Sequence, residues 1–164
     1  MEIITATLAD WPEIEQIYRE GIRTKLATFE TEDNIPSGET WFASKVQNLI
    51  FKAVDAENKM LGWVTCTAVS NRCVYAGVAE VSVYVANAAK GQGVGTVLLN
   101  HLVTTSEQAG IWTLQAGIFA QNKASIGLHH KAGFRTVGVR EKLGQLDGVW
   151  YDVALLERRS PNIV

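Results

Sequence analysis

The sequence lacks any long apolar run. No segment approaches the roughly 18–20 consecutive apolar residues that a membrane-spanning helix requires. The N-terminus has an acidic residue at position 2 and only a short apolar stretch, which differs from a secretory signal peptide. Cysteine is scarce, because only Cys66 and Cys73 occur and they do not form a CxxC motif. These features predict a cytoplasmic protein with reduced thiols and no membrane contact.

An excess of charge of one sign is also absent. The chain has 15 basic and 17 acidic residues among 164, so its formal net charge is −2. This balance argues against the strongly basic surface of a nucleic-acid-binding protein. No group of His, Cys and acidic residues has the spacing of metal ligands, so we expect no metal. Without repeats or linker-like segments, residues 1–164 are expected to form one domain.

Hydrophobic periodicity predicts a mixed α/β fold. Period-two alternation and short apolar runs predict strands over 2–7, 51–55, 60–69, 79–85, 111–119, 134–140 and 150–156. Apolar residues at helical spacing predict helices over 14–22, 36–46, 94–108 and 125–132. The predicted order βα, α, βββ, α, β, α, ββ corresponds to a mixed sheet with helices packed on it.

A glycine-rich loop between a predicted strand and a predicted helix is the most informative motif. It consists of Lys90, Gly91, Gln92, Gly93, Val94, Gly95 and Thr96. Glycines let backbone N–H groups approach a ligand, and a helix N-terminus adds a partial positive charge of about half a unit, so the loop suits a pyrophosphate. A loop that only turns the chain is the alternative.

Two common nucleotide-binding motifs do not fit this loop. A dinucleotide fingerprint needs a third glycine where Thr96 stands and an acidic residue about 20 positions later, but the segment 111–115 contains no acid. A P-loop requires Gly-Lys followed by Ser or Thr after a four-residue gap, and the sequence contains none. The pyrophosphate therefore belongs to another cofactor.

The loop resembles the acyl-CoA loop of the GNAT acetyltransferases, Gln/Arg-x-x-Gly-x-Gly/Ala, with Gly93 and Gly95 as its glycines and Lys90 at the Gln/Arg position. The segment 122–134 is similar to the GNAT segment in which an Asn opens a helix that ends at Gly-Phe. Further stretches resemble the phosphinothricin and methionine sulfoximine N-acetyltransferase branch, namely Thr28-Phe29-Glu30, Arg72-x-x-Tyr75, Glu80 to Val85, Leu128-His129 and Gly148-x-Trp150-x-Asp152. The resemblance covers about residues 2–159.

The resemblance implies a mostly antiparallel central sheet flanked by helices, acetyl-CoA as co-substrate, a small-molecule amine as acceptor and a homodimer paired near the last strand. It also implies that acetyl-CoA is bound by Val83, Tyr84, Val85, the loop from Lys90 to Thr96, Asn122 and Ser125. Asn122 is in addition a candidate N-cap of the helix that follows, and one side chain can fill both roles.

Glu80 is the candidate general base. Strand alternation places Glu80, Ser82 and Tyr84 on one face and Val81, Val83 and Val85 on the other. Since an aliphatic ammonium has a pKa of about 10, acetyl transfer to it requires a group that removes a proton. The resemblance implies that a carboxylate here acts through a water molecule. An ordinary solvated strand face is the alternative.

His129 is the second catalytic candidate. The resemblance places it where many GNAT enzymes have a Tyr close to the CoA sulfur. An imidazole with a pKa near 6.5 could protonate a thiolate or help to deprotonate an amine. A half-buried helical His that bonds to the backbone is the alternative.

The resemblance implies a substrate site formed by Phe29, Glu30, Arg72, Tyr75 and Tyr84. Arg72 could make a two-pronged contact with a carboxylate or phosphinate. A solvated loop charge for Arg72 and plain core packing for Phe29 are the alternatives.

These residues favour an enzyme that acetylates the amine of a glutamate-like compound such as phosphinothricin or methionine sulfoximine. A GNAT enzyme for a protein N-terminus or a polyamine is the alternative substrate class, although Arg72 argues for an anionic partner. A domain that binds acetyl-CoA without turnover is the third reading, and the presence of both Glu80 and His129 argues against it.

Overall fold

One seven-stranded sheet organises the structure, a computed structural model that describes residues 1–164. The strands are β1 (Glu2–Thr5), β2 (Ile50–Val54), β3 (Met60–Ala68), β4 (Val78–Val85), β5 (Thr113–Phe119), β6 (Arg135–Leu146) and β7 (Val149–Arg159). The α-helices are α1 (Trp11–Arg23), α2 (Gly38–Ala43), α3 (Val94–Gln108) and α4 (Lys123–Lys131). The predicted mixed sheet with flanking helices is confirmed, as is the predicted order of elements.

The sheet is antiparallel except at its centre. Its strand order is β1-β2-β3-β4-β5-β7-β6, and only β4 and β5 run parallel. These two strands pair over just three positions, from Val78–Thr113 to Glu80–Gln115. Residues 81–85 of β4 still pair with β3 but have no strand partner on their other side. The sheet therefore opens between β4 and β5 beyond Glu80.

One face of the sheet packs against α3. A cluster of 20 buried residues brings Leu98, Leu99 and Leu102 of α3 against Val64 and Cys66 of β3. Burial of each leucine side chain contributes about 1.5–3 kcal/mol to folding. Cys66 lies wholly inside this core as a small apolar side chain, whereas Cys73 is exposed, and neither forms a disulfide.

The other face packs against α1 and α2. The buried stripe of α1 includes Ile14 and Ile17, as its helical spacing predicts, and it contacts Trp41 of α2 and Trp63 of β3. The Trp63 indole N–H donates to the carbonyl of Ile14 at 3.2 Å, so this buried polar group is satisfied. None of the helices has the length and apolar character needed to cross a lipid bilayer.

Several element boundaries differ from the sequence prediction, among them those of α2 and of the final hairpin. Helix α2 ends at Ala43, so Val46 lies outside it, and its backbone N–H instead donates to the carbonyl of Cys66 at 2.9 Å. The final hairpin is longer than the predicted 134–140 and 150–156, because β6 continues to Leu146 and β7 spans 149–159. The extension could not be predicted from the sequence, because segment 141–145 is exposed and largely polar and lacks the alternation of apolar and polar residues that indicates a strand.

Gly77 permits the contact that joins β4 to β5. Its carbonyl accepts hydrogen bonds from the backbone N–H groups of Trp112 and Thr113, at 2.8 and 3.0 Å. A Cβ atom at Gly77 would lie 2.0 Å from Cε3 of the Trp112 ring. The start of the central parallel pair therefore requires a residue without a side chain.

We expect Gly77→Ala to destabilise the protein by about 1–3 kcal/mol, the usual cost of overpacking. Thermal unfolding followed by circular dichroism should show a Tm about 2–10 °C below that of the wild type. Gly138→Ala is the matched control, because a Cβ there meets no atom within 4 Å. An unchanged Tm for Gly77→Ala would contradict the steric argument.

Candidate active site

A cavity of about 630 Å³ occupies the opening between β4 and β5. Its lining comes from β4, β5, α4, the loop that follows α1, and the β6–β7 hairpin. Side chains from both faces of β4 reach it, because Val81, Val83 and Val85 line it together with Glu80, Ser82 and Tyr84. The alternation pattern predicted only the second set to face a cleft. The parting of the strands, which alternation does not reveal, exposes the whole edge of β4.

The glycine loop forms one end of this region. Gly91 and Gly93 both have φ of +79°, a conformation that side-chain-bearing residues rarely adopt, and Gly93 is the N-cap of α3. The first N–H groups of a helix have no intrahelical acceptor and favour anions. The Lys90 side chain lines the cavity beside them. This arrangement fits the pyrophosphate of a CoA-type ligand.

The open edge of β4 suits an extended ligand that contains amides. Residues 83–85 keep their ladder with β3, but on the cavity side their backbone groups have no strand partner. Such an edge binds extended chains through main-chain hydrogen bonds. It fits the predicted binding of acetyl-CoA, whose pantetheine arm contains amides, by Val83, Tyr84 and Val85.

Asn122 connects α4 to the loop after α1. Its Oδ1 accepts from the backbone N–H of Ser125 at 3.2 Å, which confirms the N-cap role. Its Nδ2 donates to the carbonyl of Leu26 at 3.1 Å, a contact that the sequence did not predict. Asn122 and Ser125 both line the cavity. The predicted contact of Asn122 with the cofactor remains a prediction.

Glu80 lies at the last paired position of β4 and β5, and it lines the cavity. Its carboxylate is exposed and accepts a hydrogen bond from Nε2 of Gln115 at 3.2 Å. Gln115, its register partner on β5, was not among the predicted site residues. The pair places an ionisable, solvent-accessible carboxylate where the two strands separate.

Lys45 is a second neighbour of Glu80 that the sequence did not indicate. Its ammonium lies 3.4 Å from Oγ1 of Thr67, the cross-strand partner of Glu80, and 4.8 Å from the centre of the Trp41 ring. Burial lowers the pKa of Lys45, and the charges of Cys66 and Glu80 oppose that shift. The side of the sheet that bears Glu80 thus also bears a partly buried cation.

His129 lines the cavity as a buried ring, with 3% of its surface exposed. Its Nδ1 lies 2.7 Å from the carbonyl oxygen of Ser125. Because a carbonyl only accepts, Nδ1 carries the proton and Nε2 of the neutral ring has a free lone pair. Burial lowers the pKa of His129 below its usual 6.5. Of the two predicted roles, this state suits a proton acceptor and not an acid.

Tyr84 is both a core residue and a lining residue. Its ring stacks on Trp63 at 4.7 Å and meets Tyr18 edge-on at 5.1 Å. Burial raises the pKa of Tyr84, and it raises the pKa of Tyr18 to about 12. Both phenols therefore keep their protons at neutral pH.

The predicted substrate residues divide into two groups. Phe29 and Tyr84 line the cavity, and the Phe29 ring packs edge-on against Phe119 with centres 4.7 Å apart. Glu30 lies outside the lining and accepts from the backbone N–H of Thr31. Phe29 is thus an apolar wall of the cavity, as the branch resemblance implies, while the substrate role of Glu30 gains no support from its position.

Arg72 and Tyr75 also lie outside the cavity lining, contrary to the predicted cluster. Both are exposed in the connection before β4, with the Arg72 guanidinium 5.5 Å from the centre of the Tyr75 ring. This connection extends from the start of β4, whereas the cavity opens towards the end of that strand. The sequence predicted neither their mutual contact nor their position outside the cavity lining.

Sequence reasoning missed the contribution of β6. Arg140 and Leu143 line the cavity beside Phe29 and Val153. No sequence signal identified them, because a long-range strand pairing and a bulge place them there. No three His, Cys, Asp or Glu side chains are grouped so that they could hold a metal ion.

Comparison with known proteins identifies the family. Residues 3–155 match the acetyltransferase (GNAT) domain. The chain is 31% identical to the L-methionine sulfoximine/L-methionine sulfone acetyltransferase of Pseudomonas aeruginosa, over 93% of this chain and 90% of that protein. It is 32% identical to the phosphinothricin N-acetyltransferase of Streptomyces coelicolor, over 91% of this chain and 90% of that protein.

A solved structure agrees with these matches. The GNAT superfamily phosphinothricin acetyltransferase of Sinorhizobium meliloti, in complex with acetyl-CoA, superposes with a TM-score of 0.87 and is 28% identical. The alignment covers 99% of this chain and 94% of that one. The chain therefore belongs to the GNAT family and is an N-acetyltransferase that uses acetyl-CoA.

Proposed function

We propose that the protein acetylates the primary amine of a small glutamate-like compound, of the class that includes phosphinothricin and methionine sulfoximine. The position of Glu80, in the cavity and next to the open edge of β4, is the observation that carries this proposal. It places a proton acceptor within reach of the strand edge suited to the cofactor arm. The activities named for the relatives from Pseudomonas and Streptomyces support the substrate class.

Acetyl-CoA supplies the acetyl group as a thioester: the neutral amine attacks the carbonyl carbon, the C–S bond breaks, and the CoA thiolate takes up the proton that the acylated nitrogen releases. The backbone of residues 91–96 and the Lys90 ammonium hold its pyrophosphate, and the edge of β4 aligns the arm along the cavity. The wall formed by Phe29, Val153 and Leu155 limits the acceptor to small molecules. Binding and orientation of the two substrates are thus assigned to different parts of the cavity.

Glu80 accepts the proton that the substrate ammonium must lose, through a bridging water. An aliphatic ammonium of pKa about 10 is almost fully charged at neutral pH, so its loss of a proton requires a nearby base. The Gln115 amide holds the carboxylate by a 3.2 Å hydrogen bond. The neutral His129 ring offers a second acceptor, Nε2, on the α4 side of the same cavity.

We further propose that the enzyme is a homodimer that pairs through the β6–β7 hairpin. Strand β6 is an edge of the sheet, with one side unpaired. The hairpin exposes large apolar side chains, among them Val139 at 53%, Val149 at 55% and Trp150 at 54%. An unpaired edge with exposed apolar residues favours association with a second copy of the same surface.

Glu80→Gln should reduce kcat by about 10²-fold or more, because the amide keeps the shape of the carboxylate but cannot accept the proton. The measurement is thiol release from acetyl-CoA with phosphinothricin and methionine sulfoximine as acceptors. Acetyl-CoA affinity, from isothermal titration, should stay within about twofold. Glu57→Gln is the control, since that exposed carboxylate lies in the turn between β2 and β3, outside the cavity. Full turnover by Glu80→Gln at neutral pH would exclude the proposed base.

The neutral state of His129 has a measurable effect on stability. The native state disfavours protonation of this ring, so below about pH 6.5 the unfolded chain binds a proton that the native chain does not. The free energy of unfolding should therefore decrease as the pH falls from 7.5 to 5. Urea unfolding of His129→Gln should show a weaker decrease. His130→Gln, at an exposed ring bonded to Thr136, should behave like the wild type; equal pH dependence in all three proteins would contradict the buried neutral ring.

The wild type should have a solution mass of twice its 18.0 kDa chain mass by sedimentation or light scattering. Val139→Lys and Trp150→Lys should each yield monomers, because pairing would bury the lysine charge and remove its water without providing a partner. Val97→Lys, at a partly exposed apolar residue of α3, is the control and should remain dimeric. A wild type that stays at 18.0 kDa at all concentrations would overturn the dimer proposal.

A further inference from the structure

Arg140 of β6 is an exposed cation of the cavity lining and has no protein partner. It lines the cavity together with Phe29, Leu143 and Val153. The seven ion pairs of the structure do not include Arg140. By contrast, Arg135 on the same strand pairs with Glu157. An unpaired guanidinium in a partly apolar wall is available to a ligand.

A bulge in β6 creates this arrangement. Arg140 pairs with Val153 and Gly144 pairs with Tyr151, so residues 141–143 together oppose only Asp152. In a regular strand, residues 140 and 143 would point to opposite faces. Here both line the same cavity, because Lys142 adopts a positive φ of 45° and its N–H donates to Oδ1 of Asp152 at 2.8 Å. Bulges often redirect side chains beside active sites in this way.

The charges of the cavity are placed at separate positions. Glu80 lies where β4 and β5 part, Lys90 lies beside the glycine loop, and Arg140 lies at the wall formed by the hairpin. Lys90 is next to the anion-binding backbone, so it serves the cofactor. Arg140 is the remaining cation on the wall that faces the substrate. Glu80 and Arg140 thus complement the opposite charges of an amino acid that has an acidic tail.

We propose that Arg140 binds the acidic group of the substrate tail and thereby selects glutamate-like amines over neutral ones. A guanidinium makes paired hydrogen bonds to carboxylates and phosphinates, and the donors of the exposed Arg140 side chain are free for such a contact because no ion pair includes it. Arg72, predicted for this role from the sequence, lies outside the cavity lining. The assignment rests on the proposed acetylation of a small amine.

Arg140→Gln is the direct test, with steady-state kinetics on phosphinothricin, which has an acidic tail, and on methionine sulfone, whose tail is neutral. The KM for phosphinothricin should rise by about 10-fold or more, the usual cost of losing a hydrogen bond to a charged group. The KM for methionine sulfone and both kcat values should change by less than about twofold. Arg140→Lys should recover part of the phosphinothricin affinity, since it restores the charge without the paired geometry.

Arg135→Gln is the matched control on the same strand, and both of its KM values should match the wild type. An equal rise of the two KM values in Arg140→Gln, or no rise in either, would overturn the assignment. So would a selective loss in Arg72→Gln that Arg140→Gln does not show.

A binding measurement distinguishes a failure of the Arg140 assignment from a failure of the proposed acetylation. If the wild type acetylates neither amine, isothermal titration of phosphinothricin into the protein saturated with CoA tests whether Arg140 binds the acidic tail. Binding to the wild type that Arg140→Gln weakens about 10-fold supports Arg140 while rejecting the proposed reaction. Equal binding to both proteins, or no binding to the wild type, overturns the role of Arg140.

Discussion

The short parallel contact between β4 and β5 is the constraint on which the rest of the structure depends. Three residue pairs hold these strands together, and Gly77 allows the Trp112 ring to close over their start. All other neighbouring strands are antiparallel, and each pairs over four to eight positions. Because the central pair stops at Glu80 and Gln115, the backbone of β4 remains available, and the cavity forms within the sheet instead of on its surface.

Helix α4 fixes the relation between the parts of this cavity. Asn122 at its start is bonded to Leu26 of the loop after α1. Two residues before its end, His129 bonds to the carbonyl of Ser125, which determines the tautomer of the ring. Leu128 packs close to Gly95, where a Cβ would lie 3.2 Å from its side chain. A single helix thus positions the loop, the imidazole and the start of α3, so a shift of α4 would disturb cofactor and substrate contacts together.

Local sequence patterns predicted the helices and strands, the glycine loop before α3 and the Asn122 cap, whereas the cofactor contacts proposed there stay a prediction. The stripe of α1, the alternation of β4, the glycine loop and the Asn122 cap each depend on a few consecutive residues, so their physics is visible in the sequence. The lining of the cavity was predicted less completely. Arg72, predicted to bind the substrate, lies outside the lining, and Arg140, which belongs to the lining, was not predicted because the bulge opposite Asp152 is determined by tertiary pairing.

The proposed cofactor and substrate parts of the cavity differ in how much their geometry depends on particular side chains, and this difference bears on substrate choice within the family. The cofactor side consists of regular backbone, namely a strand edge and a helix N-terminus, whose geometry many sequences can produce. The substrate side consists of side chains on an irregular loop and a bulged hairpin, where Phe29 packs against Gly144 and Lys142 requires a left-handed backbone. Substitutions there can alter the shape and charge of the wall without disturbing the sheet. On the proposed assignment of Arg140, selectivity for the amine can therefore change through the hairpin while the fold and acetyl transfer persist.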